Sequence, residues 1–271
     1  MESVILNKAS IGYASKHHKR VVAEDMNASL LAGELTCLVG ANGAGKSTLL
    51  RTLAGFQPIL EGDCLLFHRP IGDFSPRELA QKIAVVLTGK PDVSAMKVEE
   101  LLGIARSPYT SFWGNLSSKD KTVVEESLAQ VGILELRERW FHTLSDGEKQ
   151  KVMIAKAIAQ QTDIILLDEP TAFLDYPSKV EVLLMLRRLA HDLHKTILLS
   201  THDLELALQL ADKIWLMEEE EENKKCLLIV GTPHQLADNG LLSRFIDRDE
   251  IKFDAATLRI NVVPLRTEST Q

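Results

Sequence analysis

The stretch Gly40-Ala41-Asn42-Gly43-Ala44-Gly45-Lys46-Ser47 joins glycines, one ammonium and one hydroxyl at a spacing suited to a phosphate chain. The glycines let the backbone fold into a concavity of N–H donors, Lys46 can reach the β- and γ-phosphates, and the Ser47 hydroxyl can hold a magnesium ion. An apolar run, Leu35 to Val39, precedes the loop, and a helical pattern begins at Thr48. That helix points its partly positive N-terminus at the same place. The expected ligand is a nucleoside triphosphate, with Gly40, Asn42, Gly43, Gly45, Lys46, Ser47 and Thr48 around its phosphates.

Further along, the apolar run Ile164 to Leu167 ends in two adjacent carboxylates, Asp168 and Glu169. A buried strand of this kind brings acids to the carboxyl edge of a parallel sheet, where ligands bind in such architectures. Asp168 is suited to orient the magnesium ion, and Glu169 to accept a proton from, or polarise, the water attacking the γ-phosphate. The next apolar strand, Thr196 to Ser200, delivers His202 to the same edge. A histidine after a strand is often only a surface residue; its place after the Asp–Glu pair makes it a partner for the γ-phosphate and the attacking water. Leu144-Ser145-Asp146-Gly147-Glu148 precedes a helix expected over Lys149 to Ala159. Ser145 there can serve as a helix cap, or with Gly147 form an anion site.

These groups need a scaffold, and the chain offers one. Leu35–Val39, Ile83–Leu87, Ile164–Leu167, Thr196–Ser200 and Lys213–Met217 are near-continuous apolar runs separated by helical segments, the pattern of a parallel sheet covered on both faces. The fold class is α/β. Val4–Tyr13 and Val21–Leu30 read as antiparallel strands near the N-terminus. Ser75-Pro76-Arg77-Glu78 opens a helix with a Ser cap, Pro at the first position and Glu three residues after the cap. Between Lys97 and Ala159 helical periodicity takes over, which reads as a helical insertion between two strands of the sheet. The run Glu218 to Glu222 is expected at a solvated hairpin tip.

At 271 residues with 45% hydrophobic content the chain can bury a full core. No run approaches the length that spans a bilayer, and Met1-Glu2-Ser3-Val4-Ile5 carries no export pattern. Cys37, Cys64 and Cys226 are scattered, which argues against a disulfide framework and for a reducing compartment. A net charge of −7 argues against a nucleic-acid partner.

Taken in order, the phosphate loop, Leu144 to Glu148, Ile164 to Glu169, Phe173-Leu174-Asp175 and Ser200-Thr201-His202-Asp203 resemble the ATP-binding subunits of ABC transporters over essentially the whole chain. The resemblance implies a P-loop NTPase fold: a RecA-like parallel core with an N-terminal antiparallel β subdomain and an inserted helical subdomain. In this chain the core would be 1–91 and 160–271 and the insertion 92–159. It implies hydrolysis of ATP with Mg2+, with Glu169, His202 and Lys46 as catalytic groups. Two copies of the chain would sandwich two ATP molecules head to tail, so that Ser145 and Gly147 of one touch the γ-phosphate held by Lys46 of the other, with Asp175 across the interface. Tyr13 matches the residue that stacks on adenine, the alternative being a tyrosine packed in its strand. The other implied partners are transmembrane permease subunits and, indirectly, a substrate-binding protein, with the chain peripheral at the cytoplasmic face of the cell membrane.

Within that family, Ser75 to Ala80, Ala105-Arg106-Ser107-Pro108-Tyr109 and Asp146 resemble importers of ferric siderophores, haem or cobalamin. Tyr109, Phe112 and Trp113 fall where such subunits face their membrane partner, although packing inside the insertion is the competing reading. The family usually has Pro-Gln after the strand at Ile83 to Val86, where the glutamine touches magnesium and water. This chain has Leu87-Thr88. Thr88 is thus expected to approach a metal-bound water with a shorter reach. A soluble ABC ATPase outside transport, such as one serving iron–sulfur cluster assembly, would share every catalytic residue.

Overall fold

A computed structural model describes residues 1–14, 18–87, 95–110, 115–219 and 225–262. The first half runs β1 (Glu2–Ala14), β2 (Lys19–Leu31), β3 (Leu35–Gly40), α1 (Lys46–Leu53), β4 (Glu61–Leu66), β5 (Arg69–Pro70), α2 (Pro76–Ala80) and β6 (Ile83–Val86). Helices α3 (Val98–Ile104), α4 (Ser118–Val131) and α5 (Asp146–Ala159) follow. Then come β7 (Ile164–Leu167), α6 (Tyr176–Leu193), β8 (Thr196–Ser200), α7 (Leu204–Leu210), β9 (Lys213–Glu219) and β10 (Cys226–Gly231). The described chain closes with α8 (Pro233–Asp238), α9 (Leu241–Ile246), β11 (Ile251–Asp254) and β12 (Arg259–Val262).

One ten-stranded sheet has the order β5-β4-β1-β2-β10-β9-β3-β8-β7-β6. The run from β9 through β3, β8 and β7 to β6 is parallel, as the apolar runs predict. β1 pairs antiparallel with β2 and β4. The antiparallel part joins the rest through β10, whose Cys226 pairs with Ala23 of β2.

Alternation along the central strands explains why both faces are covered. Ile165, Leu167, Ile197, Leu199, Ile214 and Leu216 face a cluster closed by α6 to α9, including Leu186, Leu206 and Leu242. Leu166, Leu198, Trp215 and Met217 face the other way, onto Leu49, Leu50 and Leu53 of α1 and the apolar residues of β1 and β2. A third cluster joins α3, α4 and α5 through Leu101, Leu102, Leu128, Val152 and Ala155. Helix α5 serves two clusters, because Ile154 and Ala157 on it pack against the sheet.

Capping boxes begin α2, α4 and α5, with Ser75/Glu78, Ser117/Asp120 and Ser145/Glu148 as the paired residues. The last corrects the expected start at Lys149: α5 begins at Asp146. Glu148 accepts hydrogen bonds from the Ser145 amide and hydroxyl, at 2.7 and 2.8 Å, which draws Asp146, Gly147 and Glu148 into the first turn. The acidic run leads into the turn of an antiparallel hairpin, β9 with β10, as expected. Glu218 and Glu219 lie in β9, opposite Leu227 and Cys226, and Glu218 is ion-paired with Arg244; the later glutamates lie outside the described residues. The hairpin of β11 and β12 packs Phe253, Leu258 and Ile260 against the sheet's helical side. All three cysteines are buried, and burial pushes the thiol of Cys64 up to about 12 and that of Cys226 up to about 11.

Candidate active site

The phosphate loop connects β3 to α1 with Gly45 as the cap residue. Gly45 has φ 103°, and a Cβ there would lie 2.4 Å from Val22 Cγ1, so only glycine fits. Gly45 has no side chain with which to cap α1, and the helix's first turn holds no acid, which leaves its orphan amides and positive end suited to an anion. Lys46 Nζ donates to the carbonyls of Gly40 at 2.9 Å and Ala41 at 3.1 Å. Burial pulls the ammonium's pKa down, and the charges of Glu169 and Asp168 push against that shift.

Strand β7 delivers the two carboxylates. The Asp168 amide donates to Val86 O at 2.8 Å, which carries the ladder one residue past the strand. Ser47 Oγ donates to Asp168 Oδ1 at 3.2 Å. Glu169 then takes a left-handed backbone, φ 50°, rare for a residue with a Cβ and typical of functional turns. His202, just past the end of β8, places Nε2 2.6 Å from Glu169 Oε1.

These groups meet in a pocket of about 320 Å³ lined by Tyr13, Arg20, Val22, Asn42, Gly43, Gly45, Lys46, Ser47, Thr48, Glu169 and His202. Tyr13 stands at its rim, 48% exposed, with its hydroxyl 3.0 Å from Thr48 Oγ1. Gly40 supplies a carbonyl to Lys46 from the end of β3, and Asp168 lies behind Ser47.

Other candidates sit apart. Ser145 and Gly147 occupy the start of α5 and are not among the lining residues. A Cβ at Gly147 would meet nothing within 4 Å, so that turn is open to an approaching group. Asp175 caps α6, accepting from the Ser178 amide at 3.1 Å, and hydrogen bonds from Ser178 hold its carboxyl below the usual range. Thr88, Phe112 and Trp113 lie outside the described residues. Tyr109 is within them, its ring 4.2 Å from the Arg106 guanidinium carbon.

Three residues at the site escaped the sequence reading. Arg20 and Val22 reach the pocket because β2 pairs with β1, Arg20 opposite Tyr13. Reading that hairpin's register would have found them. Ser200 reads as the last residue of an apolar strand, yet its hydroxyl donates to Asp168 Oδ1 at 2.7 Å and accepts from the Glu169 amide at 2.9 Å.

A family model described as ABC transporter matches residues 23–172, more than half of the chain. The chain belongs to the ABC transporter ATP-binding family. The cassette is similar to an uncharacterized ABC transporter ATP-binding protein of Methanocaldococcus jannaschii, 38% identical over 88% of this chain and 79% of the relative. It is also similar to the iron(3+)-hydroxamate import ATP-binding protein FhuC of Bacillus subtilis, 36% identical over 75% of this chain and 74% of the relative. Among solved structures, the dimeric bacterial ABC transporter cassette MJ0796 superposes with a TM-score of 0.68 at 23% identity, covering 79% of this chain and 94% of that one. The cassette therefore has the P-loop NTPase fold and is an ATPase. No helix among the described residues is long and apolar enough to cross a membrane.

Proposed function

We propose that the cassette hydrolyses ATP to energise a membrane importer of a metal chelate of the ferric siderophore, haem or cobalamin kind. It would sit at the cytoplasmic face of the membrane, bound to permease subunits that receive cargo from a substrate-binding protein. The observation that carries the chemistry is the meeting of Lys46, Ser47, Glu169 and His202 in one pocket, with Asp168 against Ser47. The likeness to an iron(3+)-hydroxamate import subunit supports the cargo class. That likeness also disfavours an ABC ATPase outside transport.

In this reading the amides of the loop and of α1, with Lys46, take the phosphates, and the Tyr13 ring meets adenine. Ser47 and Asp168 offer neighbouring hard oxygen donors that fit Mg2+. Bound there, Mg2+ would neutralise charge on the β- and γ-phosphates. A Thr88 hydroxyl would approach its water in place of the family's glutamine. Glu169 takes the proton of the attacking water, while His202 orients that carboxylate and donates to the γ-phosphate. Ser145 and Gly147 of a second copy close the site, with Asp175 at the interface, which explains why these residues stand away from the pocket of their own chain. Residues 92–159 would move as the inserted helical subdomain. ATP drives the closure by its higher affinity for the closed dimer.

The experiment is affinity purification of Glu169→Gln from native membranes in the presence of ATP. A co-purifying polytopic permease supports the importer and, with its genetic neighbours, narrows the cargo. A soluble dimer without a membrane partner, from a preparation in which a control permease survives, transfers the assignment to an ATPase outside transport.

A further inference from the structure

We propose that Ser200 is a positioning residue for ATP hydrolysis, its single hydroxyl holding both the Asp168 carboxylate and the Glu169 backbone. The proposal rests on the roles given above to Asp168 and Glu169. Ser200 ends β8 and is 0% exposed. A serine hydroxyl has one hydrogen to give and lone pairs to receive with. Here the hydrogen goes to Asp168 Oδ1 at 2.7 Å, and a lone pair takes the Glu169 N–H at 2.9 Å.

Both bonds occur where the regular ladder stops. The β7 and β8 pairing in register ends at Leu167 opposite Leu199. Glu169 then turns to φ 50°, a backbone that persists only when its surroundings hold it. The Ser200 hydroxyl supplies that hold in place of a strand carbonyl. Among the hydrogen bonds of the described residues, Asp168 Oδ1 accepts from the Ser200 and Ser47 hydroxyls, and the Ser200 bond is the shorter, at 2.7 Å against 3.2 Å. Ser47 faces the pocket, whereas Ser200 is buried behind it. Ser200 can therefore keep the carboxylate aimed while Ser47 turns to the metal. An alanine or valine would fill the same buried position and make neither bond.

The test compares Ser200→Ala, Ser200→Cys, which has nearly the same volume, and Ser200→Thr, which keeps the hydroxyl, in the full chain. ATP affinity is measured by calorimetry with and without Mg2+, alongside kcat and KM. In Ala and Cys, the gain in ATP affinity brought by Mg2+ should fall by about tenfold or more, because groups that orient a metal's ligand typically carry that much. Metal-free affinity should stay close to wild type in all three, since the hydrogen bonds of the Ser200 hydroxyl among the described residues go to Asp168 and Glu169, outside the phosphate loop. Turnover should fall with the Mg2+ gain, and Thr should recover both. If Ala does not fold, the comparison of Cys with Thr decides. A wild-type Mg2+ gain and kcat in Ala and Cys, with only the melting temperature lowered, overturns the proposal. So does an equal loss in Thr and Cys. Asp168→Asn is the control: if it keeps the full Mg2+ gain, the metal role of Asp168 has failed, and the proposal with it.

Discussion

His202 Nε2 and Glu169 Oε1 are 2.6 Å apart, although the two residues come from different strand ends. The contact places an imidazole against the proposed base and so determines which way its carboxylate faces. Glu169→Gln should lower turnover by about 10²- to 10⁴-fold, the range for loss of a general base, and leave ATP binding intact. The variant should then accumulate as an ATP-bound dimer on size-exclusion chromatography. Hydrolysis at the wild-type rate would remove Glu169 from its role.

Lys46→Ala acts on binding instead. A charged hydrogen bond contributes about 1.5–3 kcal/mol, so affinity for a fluorescent ATP analogue should drop by about 10- to 150-fold. An unchanged affinity would mean that the ammonium keeps its bonds to Gly40 and Ala41 when nucleotide binds.

Tyr13 separates stacking from hydrogen bonding. If its ring meets adenine, Tyr13→Phe should bind ATP nearly as well as wild type. Tyr13→Ala should lose about 1–3 kcal/mol, the usual worth of one base stacked on an aromatic ring. Equal losses in both variants would point to the contact with Thr48 Oγ1 instead.

Away from the pocket, Arg106 Nε is 2.9 Å from Asp120 Oδ1 in a buried pair, and Arg106 also donates to Ala159 O at 2.7 Å. Hydrogen bonds from Ser117, then from Arg106, hold the Asp120 carboxyl below its usual range. Because its folded value is depressed, its stabilising effect is complete above about pH 5 and is lost as pH falls below about 4. Asp120→Asn should cost about 3 kcal/mol at neutral pH, as for a buried pair with one partner removed. In thermal melts the gap between variant and wild type should close with acidification. A gap that does not vary with pH would refute the electrostatic account.

The sequence disclosed features that are contiguous. The phosphate loop, the Asp168–Glu169 pair and the parallel runs each announce themselves within a few residues, because a strand's apolar content and a loop's glycines are local properties. The cap at Ser75 is legible in the same way, whereas Ser145 reads equally as a cap or an anion site, and it takes the Glu148 bonds to show that α5 starts at Asp146 rather than Lys149. Ser200 was hidden for a different reason. Its partners lie 31 and 32 residues away, just past the end of a neighbouring strand, and a serine closing an apolar strand carries no local sign of which groups it will bond. The pairing of Arg106 with Asp120 is not legible either: 14 residues separate them, and only packing shows that the two charges are buried together.

Helix α5 gives one face to the sheet and the other to α3 and α4, and Met153, Ile158 and Met185 border both clusters. Opening either cluster therefore strips a helix that the other still needs, which ties their local unfolding together. The first turn of α5, capped by Ser145 and holding Gly147, is thus continuous with a helix that both clusters bury further along. A group that docks on that turn meets backbone already held by the Ser145/Glu148 box, so less of it is left to be ordered on contact.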